Sequence, residues 1–252
     1  MRRLLWALIA LLLATGSLGC VRRQLVELPY LATTGPRDRI VERDGILYAL
    51  NRRSFFVYEL PKDPGAPAKR IAELHPPVPV EKLSQHGLLL LISTREQTLI
   101  FDVADPTRPK QLGVISFGSC DAVAIEKDIA YVATAAAAQC PGPRVLAVFD
   151  MKNPTRPELL ADLYLTDPRG LAIDGQKLFV SDAREGVVVF DVSDPRAPKL
   201  VDKVPAAAAG ELIARAGILF ISADDGIHQY RYGADGHLEL GSRGSIPSRA
   251  GE

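Results

Sequence analysis

Few side chains in this 252-residue chain have a type and spacing that could do chemistry, and the strongest pair is Cys120 with Cys140. Two thiols bracketing nineteen residues can form a disulfide. A metal site would need further ligands, and no histidine lies close to either in sequence. His75, His86, His228 and His237 are scattered, with neither H-x-H nor H-x-x-x-H spacing to offer two ring nitrogens to one ion. They read as surface or hydrogen-bonded polar residues. No G-x-S-x-G turn presents a nucleophile, and no glycine-rich loop leads from a strand into a helix to cradle phosphate. Asp182, Asp224 and Asp225 are the remaining candidates. Converging carboxylates can hold Ca²⁺ or polarise a substrate, although the turn-forming chemistry of aspartate also accounts for all three.

The elements that position these residues are announced by a repeated phrase. Phe101-Asp102-Val103-Ala104-Asp105-Pro106-Thr107-Arg108-Pro109 returns as Phe149-Asp150-Met151-Lys152-Asn153-Pro154-Thr155-Arg156-Pro157, and as Phe190-Asp191-Val192-Ser193-Asp194-Pro195-Arg196-Ala197-Pro198. A looser copy starts at Tyr58, and the successive spacings are 43, 48 and 41 residues. Repeats of about 40–45 residues holding several short strands mark a β-propeller. Asp102, Asp150 and Asp191 recur at one place in each unit, so they read as architecture rather than as a single site.

One unit shows the grammar. Leu171-Ala172-Ile173 is a short strand ended by Asp174-Gly175, a tight-hairpin dipeptide. Leu178 to Ser181 is the second strand, and Asp182 to Gly186 turns the chain into a Val-rich third strand, covered on both faces. Asp194-Pro195-Arg196-Ala197-Pro198 stops it, because proline cannot donate to a ladder and Asp closes an Asx turn. Lys199 to Val204 then alternates as a half-exposed outer strand. The pattern predicts an all-β chain, a propeller of four-stranded blades. Five blades fall at about 38–80, 81–119, 120–167, 168–208 and 209–247, within a propeller domain of 38–247 and before a tail of 248–252. Residues 24–33 read as an isolated outer strand, and Gly241 to Ser245 as a flexible terminal strand or tail. An incomplete or six-bladed ring completed by a partner is the alternative geometry.

In such a blade the start of the first strand and the turn between the second and third lie at the same end. Cys120 and Cys140 occupy those two places in the third blade, with Ala135 to Pro143 as an insertion between strands. A disulfide there would stabilise by about 3 kcal/mol on the chain-entropy account. It would pin an enlarged loop whose residues Gln139, Pro141 and Arg144 are candidates for recognition. Asp182, Asp224 and Asp225 belong to equivalent turns on the same face, but the corresponding turn of the second blade carries Arg95, which would weaken a cation site.

Apolar runs ending in Phe-Asp-Val-x-Asp-Pro-x-x-Pro resemble the LVIVD-repeat β-propellers of secreted and surface-exposed bacterial and archaeal proteins. The resemblance implies that fold and an extracytoplasmic setting. It implies no activity and no catalytic residues.

The first residues concern address. Arg2-Arg3 precedes an apolar run from Leu4 to Ala14, whose helical rise of about 16 Å falls short of a bilayer core of about 30 Å. A cleaved signal peptide over 1–19 fits better than a membrane span. Gly19-Cys20 resembles the bacterial lipoprotein lipobox, with Ser17 where the pattern prefers Leu. The resemblance implies lipidation of Cys20, a short anchor segment over 20–37, and, with Val21 next, the outer membrane. Ordinary secretion with cleavage nearby is the alternative. Loss of Arg2 and Arg3 leaves 28 basic against 30 acidic residues, which gives no electrostatic footprint for nucleic acid.

Two functions of different class follow. One is a lipid-anchored, non-enzymatic interaction or scaffold module of the cell envelope, with a membrane on one side and an envelope protein as partner. The other is a lactonase-like hydrolase, or a small-ligand or metal binder, working at the central channel. No cofactor is called for by the first, and Ca²⁺ is the candidate for the second.

Overall fold

The computed structural model describes residues 39–51, 53–63, 65–116, 122–134, 143–205, 210–223 and 226–245. Every regular element among them is a β-strand, and the strands form five antiparallel sheets of four. The first blade holds β1 (Ile40–Arg43), β2 (Ile46–Leu50), β3 (Phe55–Glu59) and β4 (Lys69–Leu74). The second holds β5 (Val80–His86), β6 (Leu89–Thr94), β7 (Thr98–Asp102) and β8 (Lys110–Ile115). The third holds β9 (Val123–Glu126), β10 (Ile129–Thr134), β11 (Val145–Asp150) and β12 (Glu158–Tyr164). The fourth holds β13 (Pro168–Asp174), β14 (Lys177–Asp182), β15 (Gly186–Asp191) and β16 (Lys199–Val204). The fifth holds β17 (Leu212–Arg215), β18 (Ile218–Ala223), β19 (Gly226–Tyr232) and β20 (Leu238–Ser245). Within each blade the strands lie side by side in chain order. This is a five-bladed β-propeller.

Local chemistry sets this up as the sequence predicts. Asp44-Gly45 and Ala216-Gly217 both take positive φ at both central residues, the two-residue turn that matches strand twist. Asp102, Asp150 and Asp191 each accept, on Oδ1, the amide of the residue two places on, at 2.8 Å in all three. Asp105 and Asn153 repeat the device one turn later, taking the amide and hydroxyl of Thr107 and Thr155. The residue after each box aspartate donates its amide back to the first hairpin: Val103 to Leu88 O, Met151 to Asp128 O, Val192 to Gln176 O. The box therefore closes the third strand against the start of the second.

Every blade also carries an irregularity that the sequence pattern does not announce. The register between third and fourth strands slips beside the box aromatic, at Val57/Tyr58, Ile100/Phe101, Val148/Phe149, Val189/Phe190 and Gln229/Tyr230. A bulge there raises the local twist of the outer ribbon.

Four apolar clusters join consecutive blades. Tyr48, Phe55 and Val57 meet Leu90, Leu99 and Phe101 between the first two blades. Leu91 and Ile100 meet Ala147 and Phe149 next. Leu146 and Val148 meet Val188 and Phe190, and Phe179 and Val189 meet Leu219 and Tyr230. Each middle blade thus buries both faces of its central strands, which is why those strands read as continuous apolar runs.

Of the two readings of Gly241 to Ser245, terminal strand or tail, the strand holds: it is the second half of β20, paired with β19 from Gly226 opposite Ser245 to Tyr232 opposite Leu238. Its glycines and serines hide a strand whose order comes from its neighbour. The isolated strand over 24–33 lies outside the described residues. Among the described residues no helix is long and apolar enough to cross a membrane.

Candidate functional site

One end of the propeller carries the short hairpins and the Asp-Pro turns. The opposite end gathers the inter-blade connections and the turns between second and third strands. Cys120, Gln139, Cys140 and Pro141 belong to this opposite end in the sequence reading, and all four lie outside the described residues, as do Asp224 and Asp225. Arg144 is described and half-buried, and its carbonyl accepts the amide of Leu165 at 2.9 Å. That bond ties the foot of the inserted loop to the end of β12.

The described turns of this end are held by their own side chains. Asn51 Oδ1 accepts the amides of Arg53 and Ser54 at 2.8 and 2.7 Å. Thr94 Oγ1 donates to Gln97 O at 2.8 Å and accepts the amides of Glu96 and Gln97. Asp182 is fully buried. Its Oδ2 accepts the amides of Thr166 and Asp167 at 3.0 and 2.7 Å, and its Oδ1 those of Arg184 and Glu185 at 3.0 and 3.1 Å. Both oxygens of this candidate ligand are therefore engaged by backbone. Among the described residues no group of three or more His, Cys, Asp or Glu side chains is placed to hold a metal ion.

Charged groups pair across elements. Glu81, buried, lies 3.8 Å from both Arg39 and Arg95. Arg95, which the turn pattern marked only as unfavourable for a cation, is thus one member of an ion triad spanning the first two blades. Thr166 donates its hydroxyl to Glu185, whose other oxygen meets Lys203. The Lys203 bond first, and the Thr166 bond second, hold the Glu185 carboxyl below the usual range. None of these partners is close in sequence, and no periodicity reports such a pairing.

Two arrangements bear on hydrolysis. Ser54 Oγ shares a 2.8 Å hydrogen bond with His75 Nδ1, and His75 Nε2 stands 3.5 Å from Glu73 Oε1. The residue types match a nucleophile–base–carboxylate relay, but Ser54 is buried in its turn while the exposed members are His75 and Glu73. A relay needs the hydroxyl to face a substrate. A small cleft is instead lined by Lys82, Ser84 and Ser93 of the second blade, Ala122 and Leu171 of the next two, and Glu211 before the fifth. It can offer one cation, one carboxylate and two hydroxyls to a polar ligand. Of the other histidines, His228 is buried and His237 Nδ1 is 3.5 Å from Asp202.

Residues 167–205, which span the fourth blade, match the LVIVD repeat.

The chain is thus a propeller carrying an LVIVD repeat, and solved structures of the same shape are known. It superimposes on a functionally unknown protein of Desulfotomaculum acetoxidans with a TM-score of 0.67, at 10% identity over 81% of this chain and 68% of that one. A protein of Lactobacillus plantarum gives 0.63, at 15% identity over 81% and 69%. A complex of KlAtg21 with the coiled-coil of AgAtg16 gives 0.60, at 12% identity over 77% and 65%. At such identities the likeness is one of fold. No curated protein matches the chain.

Proposed function

We propose that this protein is a non-enzymatic recognition module of the cell envelope, anchored through lipid on Cys20 and offering its loop-rich end to a protein partner. The observation that carries the reading is the engagement of that end's polar side chains: Asn51, Thr94 and Asp182 all hold backbone turns. Side chains fixed in this way build a rigid platform for loops, which is the usual division of labour in recognition. The leader before Cys20, the LVIVD match and the near-neutral charge support an extracytoplasmic setting with no nucleic acid. Val21 favours the outer membrane, on either its periplasmic or its outward side. The reading includes an oxidised Cys120–Cys140 pair at the base of the inserted loop, which would appear as joined peptides on mapping without reduction; free-thiol labelling of both would contradict it.

The test is crosslinking in the native host of the full-length protein and of a variant shortened within 134–143, followed by membrane extraction and mass spectrometry. One envelope protein should be recovered reproducibly with the full-length form and lost with the variant. Equal capture by both, or capture by neither, would contradict the reading. The latter result would favour a small ligand or metal in the cleft of Lys82, Ser93 and Glu211, where hydrolase or binding chemistry would then be sought.

A further inference from the structure

At the inner edge of each blade, one residue at or near the start of the first strand meets the end of the second. Lys82 lies opposite Ser93 in the second blade, and Gly170 opposite Ser181 in the fourth. In the other three the pair is marked by a backbone bond. The Leu50 amide donates to Arg39 O at 2.8 Å, that of Ala133 to Ala122 O at 3.1 Å, and that of Ser222 to Glu211 O at 3.0 Å. One position of the repeat therefore holds Arg39, Lys82, Ala122, Gly170 and Glu211 in turn, beside Leu50, Ser93, Ala133, Ser181 and Ser222.

Protein groups satisfy Arg39, Ser181 and Ser222. Arg39 stands 3.8 Å from Glu81. Ser181 Oγ donates to Gly210 O, and Ser222 Oγ accepts the Glu211 amide at 2.9 Å. The second blade differs. Lys82 enters no ion pair or hydrogen bond among the described residues. Ser93 is only 3% exposed, and its one hydrogen-bond contact among them is Thr98 Oγ1 at 3.5 Å. Hydroxyl bonds close to about 2.5–3.0 Å, and a buried hydroxyl left short of a partner costs free energy. Both groups line the cleft between the blades, together with Ser84, which follows Lys82 by two residues on the same face of β5.

We infer that Lys82, Ser84 and Ser93 form a binding site for a small monocarboxylate. The Lys82 ammonium supplies the opposite charge, and each hydroxyl can donate to a carboxylate oxygen. The remaining wall fits the other end of such a ligand. Val123, Leu171 and Leu212 are apolar, so a short hydrocarbon tail would leave water on binding. The cavity, about 90 Å³, is several times what one water requires, which suits a short chain. Glu211 on the same wall disfavours a second negative charge, and so favours a carboxylate over a phosphate dianion. The site needs neither the partner nor the anchor proposed above.

The test is calorimetric titration of propionate into the purified full chain, beside Lys82→Met, Ser93→Ala and a control, Lys62→Met, at an exposed turn of the first blade. Propionamide and inorganic phosphate are titrated in parallel. Wild type and control should bind propionate alike. Affinity should fall about tenfold or more in Lys82→Met, where a hydrogen bond between charged groups is lost, and several-fold in Ser93→Ala. Propionamide should not bind. Failure of propionate to bind, equal binding by either cleft variant, or tighter binding of phosphate than of propionate would overturn the site. Should the cleft variants fail to fold, acetylation of lysines in the unaltered chain decides, read by mass spectrometry. Propionate should slow labelling of Lys82 and leave Lys62 unchanged; equal labelling of Lys82 with and without propionate would overturn the site.

Discussion

Asp191 shows how one side chain serves the repeat and one blade at once. Oδ1 accepts the Ser193 amide at 2.8 Å, as Asp102 and Asp150 do with their own amides, while Oδ2 accepts the Lys177 ammonium at 2.8 Å. The Lys177 bond, then the Ser193 amide, hold its carboxyl well below the ordinary carboxylate range. A carboxyl depressed in the folded state contributes stability that is present above its unfolded value, about 3.9, and is lost as pH falls through the folded value. The residues opposite Asp102 and Asp150 on the second strand are Leu89 and Ile129, so a cation at that register position is peculiar to the fourth blade, and Asp150 has instead the neighbouring, exposed Lys152 at 3.9 Å. Lys177→Met should therefore lower stability near neutral pH, and the gap to wild type should narrow as the pH drops below about 3.9. Urea midpoints measured along that range check it, and a gap independent of pH would contradict it. The turn role of Asp102, Asp150 and Asp191 was legible from repetition alone. Lys177 was not, because its partner is set by strand register rather than by spacing in the chain.

At the scale of elements, the strands and hairpins were readable because apolar runs, Asp-Gly turns and prolines recur in phase. What escaped the reading depends on neighbours. The bulge beside each box aromatic has no residue signature, and the glycines and serines of β20 left strand and tail both open until its pairing with β19 decided between them. Inter-blade fit is equally silent in the sequence, and Gly113 on β8 is its clearest instance. A Cβ built there would stand 2.4 Å from the carbonyl oxygen of Pro154, in the Asn153-Pro154 turn of the next blade. Backbone cannot move aside as a side chain can, so Gly113→Ala should cost about 1–3 kcal/mol, a drop in melting temperature of about 2–4 °C per kcal/mol for a domain of this size. Gly244→Ala, whose Cβ would meet only Ile227 O at 3.7 Å, is the control and should melt like wild type. Equal melting of the two variants would show that the blades are not packed as described.

For the whole molecule, five blades joined by four apolar clusters among the described residues place the ends of the second strands and the starts of the third at one end, where Asn51, Thr94 and Asp182 hold the backbone in shape. The blade count followed from the period of the repeat. The contents of the candidate face did not, since Glu81 with Arg39 and Arg95, or Ser54 with His75, meet only after folding. The proposed function has this platform held near its partner, and that proposal turns on lipidation of Cys20. The most direct measurement is radiolabelled palmitate incorporation and membrane fractionation of the full-length protein beside Cys20→Ala in the native host. The account predicts label and membrane retention in the wild type, with neither in a variant whose melting temperature is unchanged. An unlabelled wild type, or a variant that stays with the membrane, would contradict it.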